Sequence, residues 1–290
     1  MPLGCKIEEY FSMKTKKILT IIIITYNSQN CIESCLQSIK VQNVPTNILI
    51  IDNNSTDKTW RKLQTLKASN IDLIKNKVNS GFARAVNQGF KYSNKNFKNS
   101  LFLLLNPDAV LDDFCLARLI EAIDSNPKLG LCSPIIKNPT NNQLIFQQGK
   151  IDWWQMRTLH VAAKSLSSDY LTGCCLLIKK AVIDKIDGFD ERFFLYYEDA
   201  DFCLRARQNG FQLKTVSKAI CFHQESQSSD SDTKTYYLVK NGLIFFHKHF
   251  SLLTKLLYFW PIFFLRLIYH LLISRKKNIV QAFKDFYFNK

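Results

Sequence analysis

Residues 101–111 read LFLLLNPDAVL: five apolar residues in a row, an Asn-Pro-Asp turn, then a return to apolar character. An unbroken apolar run of this length, stopped by an Asn-Pro pair, is how a strand buried on both faces of a parallel sheet ends. Asp108 then stands at the carboxyl edge of that sheet. By chain geometry alone the same residue also serves as a cap for the helix expected from residue 112.

On either side, apolar runs rich in β-branched residues alternate with amphipathic stretches, the pattern of a parallel sheet with crossover helices. The spacing predicts strands over 18–25, 48–52, 71–75 and 101–105, and helices over 31–39, 56–66, 83–92 and 112–123. This is an α/β nucleotide-binding half. Each strand ends in polar residues, Thr25-Tyr26-Asn27, Asp52-Asn53-Asn54, Asn79-Ser80-Gly81 and Asn106-Pro107-Asp108, and open α/β sheets bind ligands along that edge. Beyond Pro134 the pattern loosens through KNPTNNQ and IDWWQMR, an insertion expected to shape an acceptor site. Regularity returns with a strand over 174–178, helices over 181–186 and 199–208, the second stopped by Asn209-Gly210, and a short strand over 218–222 that delivers His223.

The 290 residues suffice for one large domain with an appendage: an extension over 1–15, a domain over 16–250 and a tail over 251–290. A net charge of +15 calls for an anionic partner. Nucleic acid is disfavoured, since neither paired Cys/His spacings nor an aromatic RNP-like strand occurs. Nine cysteines without CxxC spacing read as reduced core residues of a cytosolic domain. The basic-then-apolar stretch from Met13 imitates a secretion signal, but Tyr26-Asn27 stand where small residues would be needed for cleavage. No GxGxxG follows the first strand and no GxxxxGK[ST] occurs, which disfavours an oxidoreductase and a P-loop phosphotransferase.

Residues 252–273 are long and apolar enough to cross a bilayer, which takes about 20 residues. Yet Ser251, Lys255, Arg266, His270 and Lys277 fall on one arc of a helical wheel. A central Arg costs about 2.5–3.5 kcal/mol in a spanning segment, so a helix lying in the membrane plane is expected. The adjacent Arg275-Lys276-Lys277 would favour an anionic cytoplasmic surface; a helix packed on the domain or on a second copy is the alternative.

The segments IIIITYNSQNCIESCLQSI, ILIIDNNSTDKT, NSGFARAVNQGF, LFLLLNPDAVL, TGCCLLIKK and GFDERFFLYYEDADFCLRARQNGF resemble, in order and spacing, family 2 of the inverting glycosyltransferases, which have the GT-A fold. Within it they look most like the rhamnosyltransferase branch. The resemblance runs over about 18–250 and is most specific at NPD and FFLYYEDAD. It implies a Rossmann-like, mostly parallel sheet flanked by helices. It also implies transfer of a sugar, rhamnose from dTDP-rhamnose by the branch, to a lipid-linked or surface glycan; a UDP- or GDP-sugar donor and a catalytically silent binding module are the alternatives.

The resemblance further implies a divalent cation, Mn²⁺ or Mg²⁺, held by Asp108 and His223. Asn106 stands where the family has a first carboxylate, an amide that can ligate without adding charge. Asp199 matches the second residue of the family's acidic pair and is the expected general base, with Glu198 and Asp201 orienting the acceptor or the helix. As plain sequence, Asp199 at a helix start and the Asp201/Arg205 spacing are also ordinary helix features. Donor contacts are expected from Thr25, Tyr26, Asn27, Asp52 and Asn53, with Tyr26 stacking on a pyrimidine. Asn79, Gly81, Phe82, Ala83, Arg84 and Asn87 match the next loop and helix of the nucleotide site, and Gly173 a position lining the sugar. Trp153 and Trp154 offer either a sugar platform or core packing.

Overall fold

The computed structural model describes residues 18–162, 168–223, 231–274 and 276–288. The extension expected over 1–15 and Arg275 of the basic cluster lie outside them. β1 (Ile18–Thr25), α1 (Ile32–Lys40), β2 (Thr46–Asp52), α2 (Thr59–Leu66), β3 (Ile71–Lys75), α3 (Phe82–Asn96) and β4 (Asn99–Leu105) follow the expected alternation. A three-residue strand, β5 (Ala109–Leu111), and α4 (Cys115–Ser125) lead to β6 (Leu129–Lys137), β7 (Leu144–Phe146) and a hairpin of β8 (Gln148–Asp152) with β9 (Arg157–Val161). Then come β10 (Cys175–Lys179), α5 (Lys180–Ile186), α6 (Glu198–Gln208), β11 (Gln212–His223) and α7 (Ser231–His249). The chain closes with α8 (Leu252–Ser274) and α9 (Lys277–Phe288).

The main sheet runs β3-β2-β1-β4-β10-β6-β11-β5. β1 pairs in parallel with β2 on one side and β4 on the other. The crossovers therefore leave β1 in opposite directions, and the resulting crevice lies at the carboxyl ends of β1 and β4. Continuous apolar runs suit these strands because both faces are covered: Leu19, Ile21, Ile22 and Ile23 are at most 1% exposed. β10 enters antiparallel between β4 and β6, and β5 closes the far edge antiparallel to β11. The last strand is longer than the expected 218–222 and carries a register shift between Val216 and Ile220, opposite Pro134 and Ile135 of β6. Pro134 thus sits at the irregularity, where its missing N–H costs the ladder least. The eight described cysteines form no disulfide, and all but Cys31 are buried.

α8 packs along the domain. Its polar arc turns toward the domain, where Arg266 donates to the Gln155 carbonyl at 3.1 Å. Phe259 and Phe263 are buried beside it, while Leu257, Leu265 and Leu272 are 72%, 67% and 68% exposed. A wider π turn over Lys255–Phe259 precedes Pro261 and accommodates the hydrogen bond that proline cannot make. α9 folds back on α7: Tyr236 donates to Asp285 at 2.5 Å and Asn278 to Asp232 at 3.2 Å.

Candidate active site

Two strand ends bring the expected metal ligands together. β11 pairs with β5 so that His223 lies opposite Ala109, and the imidazole Nε2 of His223 is 3.1 Å from Oδ1 of Asp108. Both side chains remain partly open, at 15% and 12% exposure. Asn106 is partly exposed, with its backbone fixed on both sides: its N–H donates to the Cys174 carbonyl at 2.8 Å and its carbonyl accepts from Ala109 at 3.1 Å.

The residue before Cys174 reaches the other carboxylate. The Gly173 N–H donates to Oδ2 of Asp199 at 3.1 Å, and the Ala200 N–H to Oδ1 at 2.8 Å. One dipeptide, Gly173-Cys174, therefore anchors both the NPD turn and the first turn of α6. A Cβ at Gly173 would stand 3.7 Å from the Asp199 Cβ and from the Phe82 ring, so this approach is close without being crowded.

The aromatic run before α6 enters that helix through two consecutive left-handed residues, Tyr196 and Tyr197, each with φ of 69°. Such backbone needs support from its surroundings. The Asn241 amide of α7 supplies it by donating to the Leu195 and Tyr196 carbonyls at 2.6 and 3.2 Å. The turn delivers Glu198 into a buried setting and Asp199 into a half-buried one, and desolvation raises both carboxyls. Glu198 reaches about 8, with the neighbouring Asp199 charge adding to the burial. At Asp199 the backbone N–H groups and the charge of His160 pull partly back. Glu198 Oε2 is buried with no hydrogen-bond partner among the described residues. Of the two, Asp199 is the carboxyl prepared to ionise, and Glu198 the one that keeps its proton.

On the other side of the crevice the strand-end residues bond mainly to one another. Thr25 and Ser55 donate to Asp52 at 3.1 and 2.5 Å, and Asp52 is fully buried. Asn53 donates to Asn79 at 2.8 Å and to the Gly81 carbonyl at 3.2 Å, while its own oxygen accepts from Asn76 and Ser80. The Asn27 side-chain oxygen Oδ1 accepts from the Thr56 N–H at 2.9 Å. Tyr26, 42% exposed, is the residue of this group whose ring faces solvent. Gly81 starts α3 at φ of +82°, where a Cβ would meet Phe194 at 2.7 Å, and the Phe82 N–H donates to the Phe194 carbonyl at 2.8 Å.

Residues 20–187, more than half of the chain, match the sequence profile of glycosyl transferase family 2. The chain belongs to that family and is a glycosyltransferase. A second profile, described as the N-terminal domain of galactosyltransferase, matches residues 156–227 of this family 2 chain. An N-acetylglucosaminyl-diphospho-decaprenol L-rhamnosyltransferase of Mycobacterium tuberculosis is 23% identical over 76% of this chain and 80% of its own length. A rhamnosyltransferase of Escherichia coli is 23% identical over 70% of this chain and 82% of its own length. A Pyrobaculum calidifontis mannosyltransferase, solved with GDP-Man and Mn²⁺, superposes with a TM-score of 0.60 at 15% identity over 97% of this chain and 93% of its own. The S. aureus protein TarS superposes with a TM-score of 0.56 at 18% identity over 78% of this chain but 39% of its own. These likenesses give the family 2 chain its GT-A fold and its rhamnosyltransferase-like kinship.

Within the family 2 site, several expected residues also hold the frame. Asp52 and Asn53 hydrogen-bond to the strand ends and loops around them. Asn87 grips the segment before α6, donating to the Phe189 carbonyl at 2.9 Å and accepting its N–H at 2.8 Å. Arg84 pairs with Glu191 at 3.1 Å on the surface. Asp201 is fully buried, contacting Arg205, Lys248 and His249 at 2.7, 2.5 and 2.8 Å. Trp153 stacks on Phe245 at 6.0 Å and Trp154 on Tyr258 at 5.1 Å, so both pack the C-terminal helices onto the domain. Sequence reasoning missed Asn241, Lys248 and His249, which lie on a helix it did not expect, and His160, whose setting in RTLHV carries no signal.

The pH behaviour of Glu198 is testable. Below its ordinary value of 4.5 the carboxyl is neutral in folded and unfolded chains alike. As pH rises from there toward about 8, the unfolded chain ionises first and the native state loses stability relative to it. Glu198→Gln, neutral throughout, is expected to gain stability over the parent across that window, on the order of 5 kcal/mol by its upper end. Urea melts at a series of pH values measure this, and a gap independent of pH refutes it.

Proposed function

We propose that this family 2 enzyme transfers rhamnose from dTDP-rhamnose to a hydroxyl of a polyprenyl-diphosphate-linked or growing surface glycan, with inversion. The observation that carries the reading is the shared Gly173-Cys174 anchor, which sets a carboxylate prepared as a base beside the strand end bearing Asp108 and His223. In the reaction the acceptor oxygen bonds to the sugar C1, the bond from C1 to the diphosphate breaks, and the acceptor proton passes to Asp199. Attack from the face opposite the diphosphate inverts C1.

Asp108 and His223 would hold the divalent cation, with the Asn106 amide beside them. One hard oxygen and one imidazole nitrogen converging at a partly open strand end form a donor set suited to Mn²⁺. Such an ion supplies neutralisation of the charge that develops on the leaving diphosphate. Tyr26 offers a stacking face for the base. Relatives named as acting on decaprenol-linked sugar support the lipid-linked acceptor, and the exposed apolar edge of α8 supports a place on the inner face of the plasma membrane. Because α9 returns to α7, the helix lies along the domain; this supports an in-plane seat rather than a span.

The test is a panel of dTDP-, UDP- and GDP-sugars with a polyprenyl-diphosphate-linked acceptor, with Mn²⁺, with Mg²⁺ or with chelator. The expected result is acceptor-dependent dTDP release that chelation stops. Release from UDP- or GDP-sugars alone overturns the donor, and release unchanged by chelator overturns the cation.

A further inference from the structure

A cavity of about 460 Å³ lies between the β8–β9 turn, the start of α6 and helices α7, α8 and α9. Its walls are mainly apolar, with Leu238, Phe246 and Phe283 among them, yet Arg157 and Arg266 both line it. Arg157 is largely in solvent and Arg266 partly buried, so an anion seated between them would gain charge-assisted contacts from both guanidinium groups. Arg266 donates to the Gln155 carbonyl, and Arg157 meets Asp152 at the long distance of 3.8 Å, so both keep donors for an anion.

Two further observations say what kind of anion fits. Tyr197 lines the cavity and immediately precedes Glu198 and Asp199 in the chain, so the cavity adjoins the turn that carries the expected base. At the other end Tyr269 lines the cavity and is 50% exposed, next to Ile268 at 51% and Leu265 at 67% on the outward edge of α8. The chamber therefore joins the base side of the site to an apolar surface strip. A ligand that satisfies both ends carries a phosphate group between an alkyl chain and the group that reacts.

We propose that this cavity binds the diphosphate and first isoprene units of a prenyl-linked acceptor, with Arg157 and Arg266 on the phosphates and the chain leaving along α8. This deepens the proposed transfer and rests on its lipid-linked acceptor. Binding can be read without turnover, using farnesyl diphosphate as the probe, the full chain and saturating dTDP to block the donor site. The expected result is binding that survives dTDP and weakens about tenfold in Arg157→Ala and in Arg266→Ala. Affinity for dTDP and sedimentation with phosphatidylglycerol vesicles should not change.

Arg157 is more than half exposed, so its variant keeps the fold even if Arg266→Ala does not. Displacement by dTDP, equal binding by both variants, or inorganic pyrophosphate competing as well as the farnesyl compound each overturns the assignment. So does a parallel loss of vesicle binding, which would make the arginines headgroup contacts. Failure here alongside acceptor-dependent dTDP release removes the cavity alone; a chain that binds farnesyl diphosphate as described but releases no nucleotide removes the transfer reading instead.

Discussion

Asp199→Asn is expected to lower the turnover number for transfer by about 10²–10⁴, the usual contribution of a positioned base, while the donor nucleotide binds as before. The amide is isosteric and still accepts from one of the two N–H groups at Gly173 and Ala200, so the site keeps its shape. What disappears is the ability to take the acceptor proton. The raised pKa of the parent adds a second signature: activity falls with acidification from above the ordinary carboxylate range, because only the ionised form acts as base. Initial rates of dTDP release across pH, with donor affinity from equilibrium titration, check both points. A variant that retains parental turnover removes Asp199 from the chemistry.

Asp201→Asn is expected to fail for a different reason. Its carboxylate is fully buried and meets three basic side chains from two helices. Arg205 in turn donates to the Ile186 and Gly188 carbonyls, both at 2.8 Å, and Lys248 also reaches Asp190 at 2.7 Å. Removing the charge strands cations in a largely buried setting, at a cost of about 3–5 kcal/mol in folding stability. Burial pushes the Asp201 carboxyl up, but the His249 hydrogen bond and the charges of Arg205 and Lys248 outweigh it and leave the group below 3.8.

A depressed value means that the contribution is in full force above 3.8 and vanishes only as pH drops through the folded-state value below that. The gap between parent and variant in urea midpoints should therefore be flat through neutrality and close only in strong acid. Per folded molecule, measured in the cold, transfer should be close to parental. A large turnover defect in fully folded variant would return Asp201 to the acceptor site.

The first half of the fold was legible because parallel strands covered on both faces have to be continuous apolar runs; β1 and β3 begin and end where the pattern places them. The later strands were harder to read. β6 contains Gly130 and Pro134, two apparent breakers, and Arg157–Val161 alternates too weakly to announce a half-covered hairpin. α7 went unseen because its first half is largely exposed and polar and its buried residues cluster late, from Asn241 to Phe246, leaving no sustained stripe. That omission hid the true setting of Asp201, two of whose three partners are 47 and 48 residues away. Asp108 and His223 could be paired only through the family resemblance, since no local pattern links residues 115 positions apart before the β5–β11 ladder aligns them.

The dipeptide Gly173-Cys174 gives the protein a common pivot. Lesions on its two sides, at the NPD turn and at the head of α6, should not combine independently: once one has shifted the pivot, the second has less alignment left to spoil. Epistasis between residues that never touch is thus written into the backbone, and sequence drift at one carboxylate constrains what the other can tolerate.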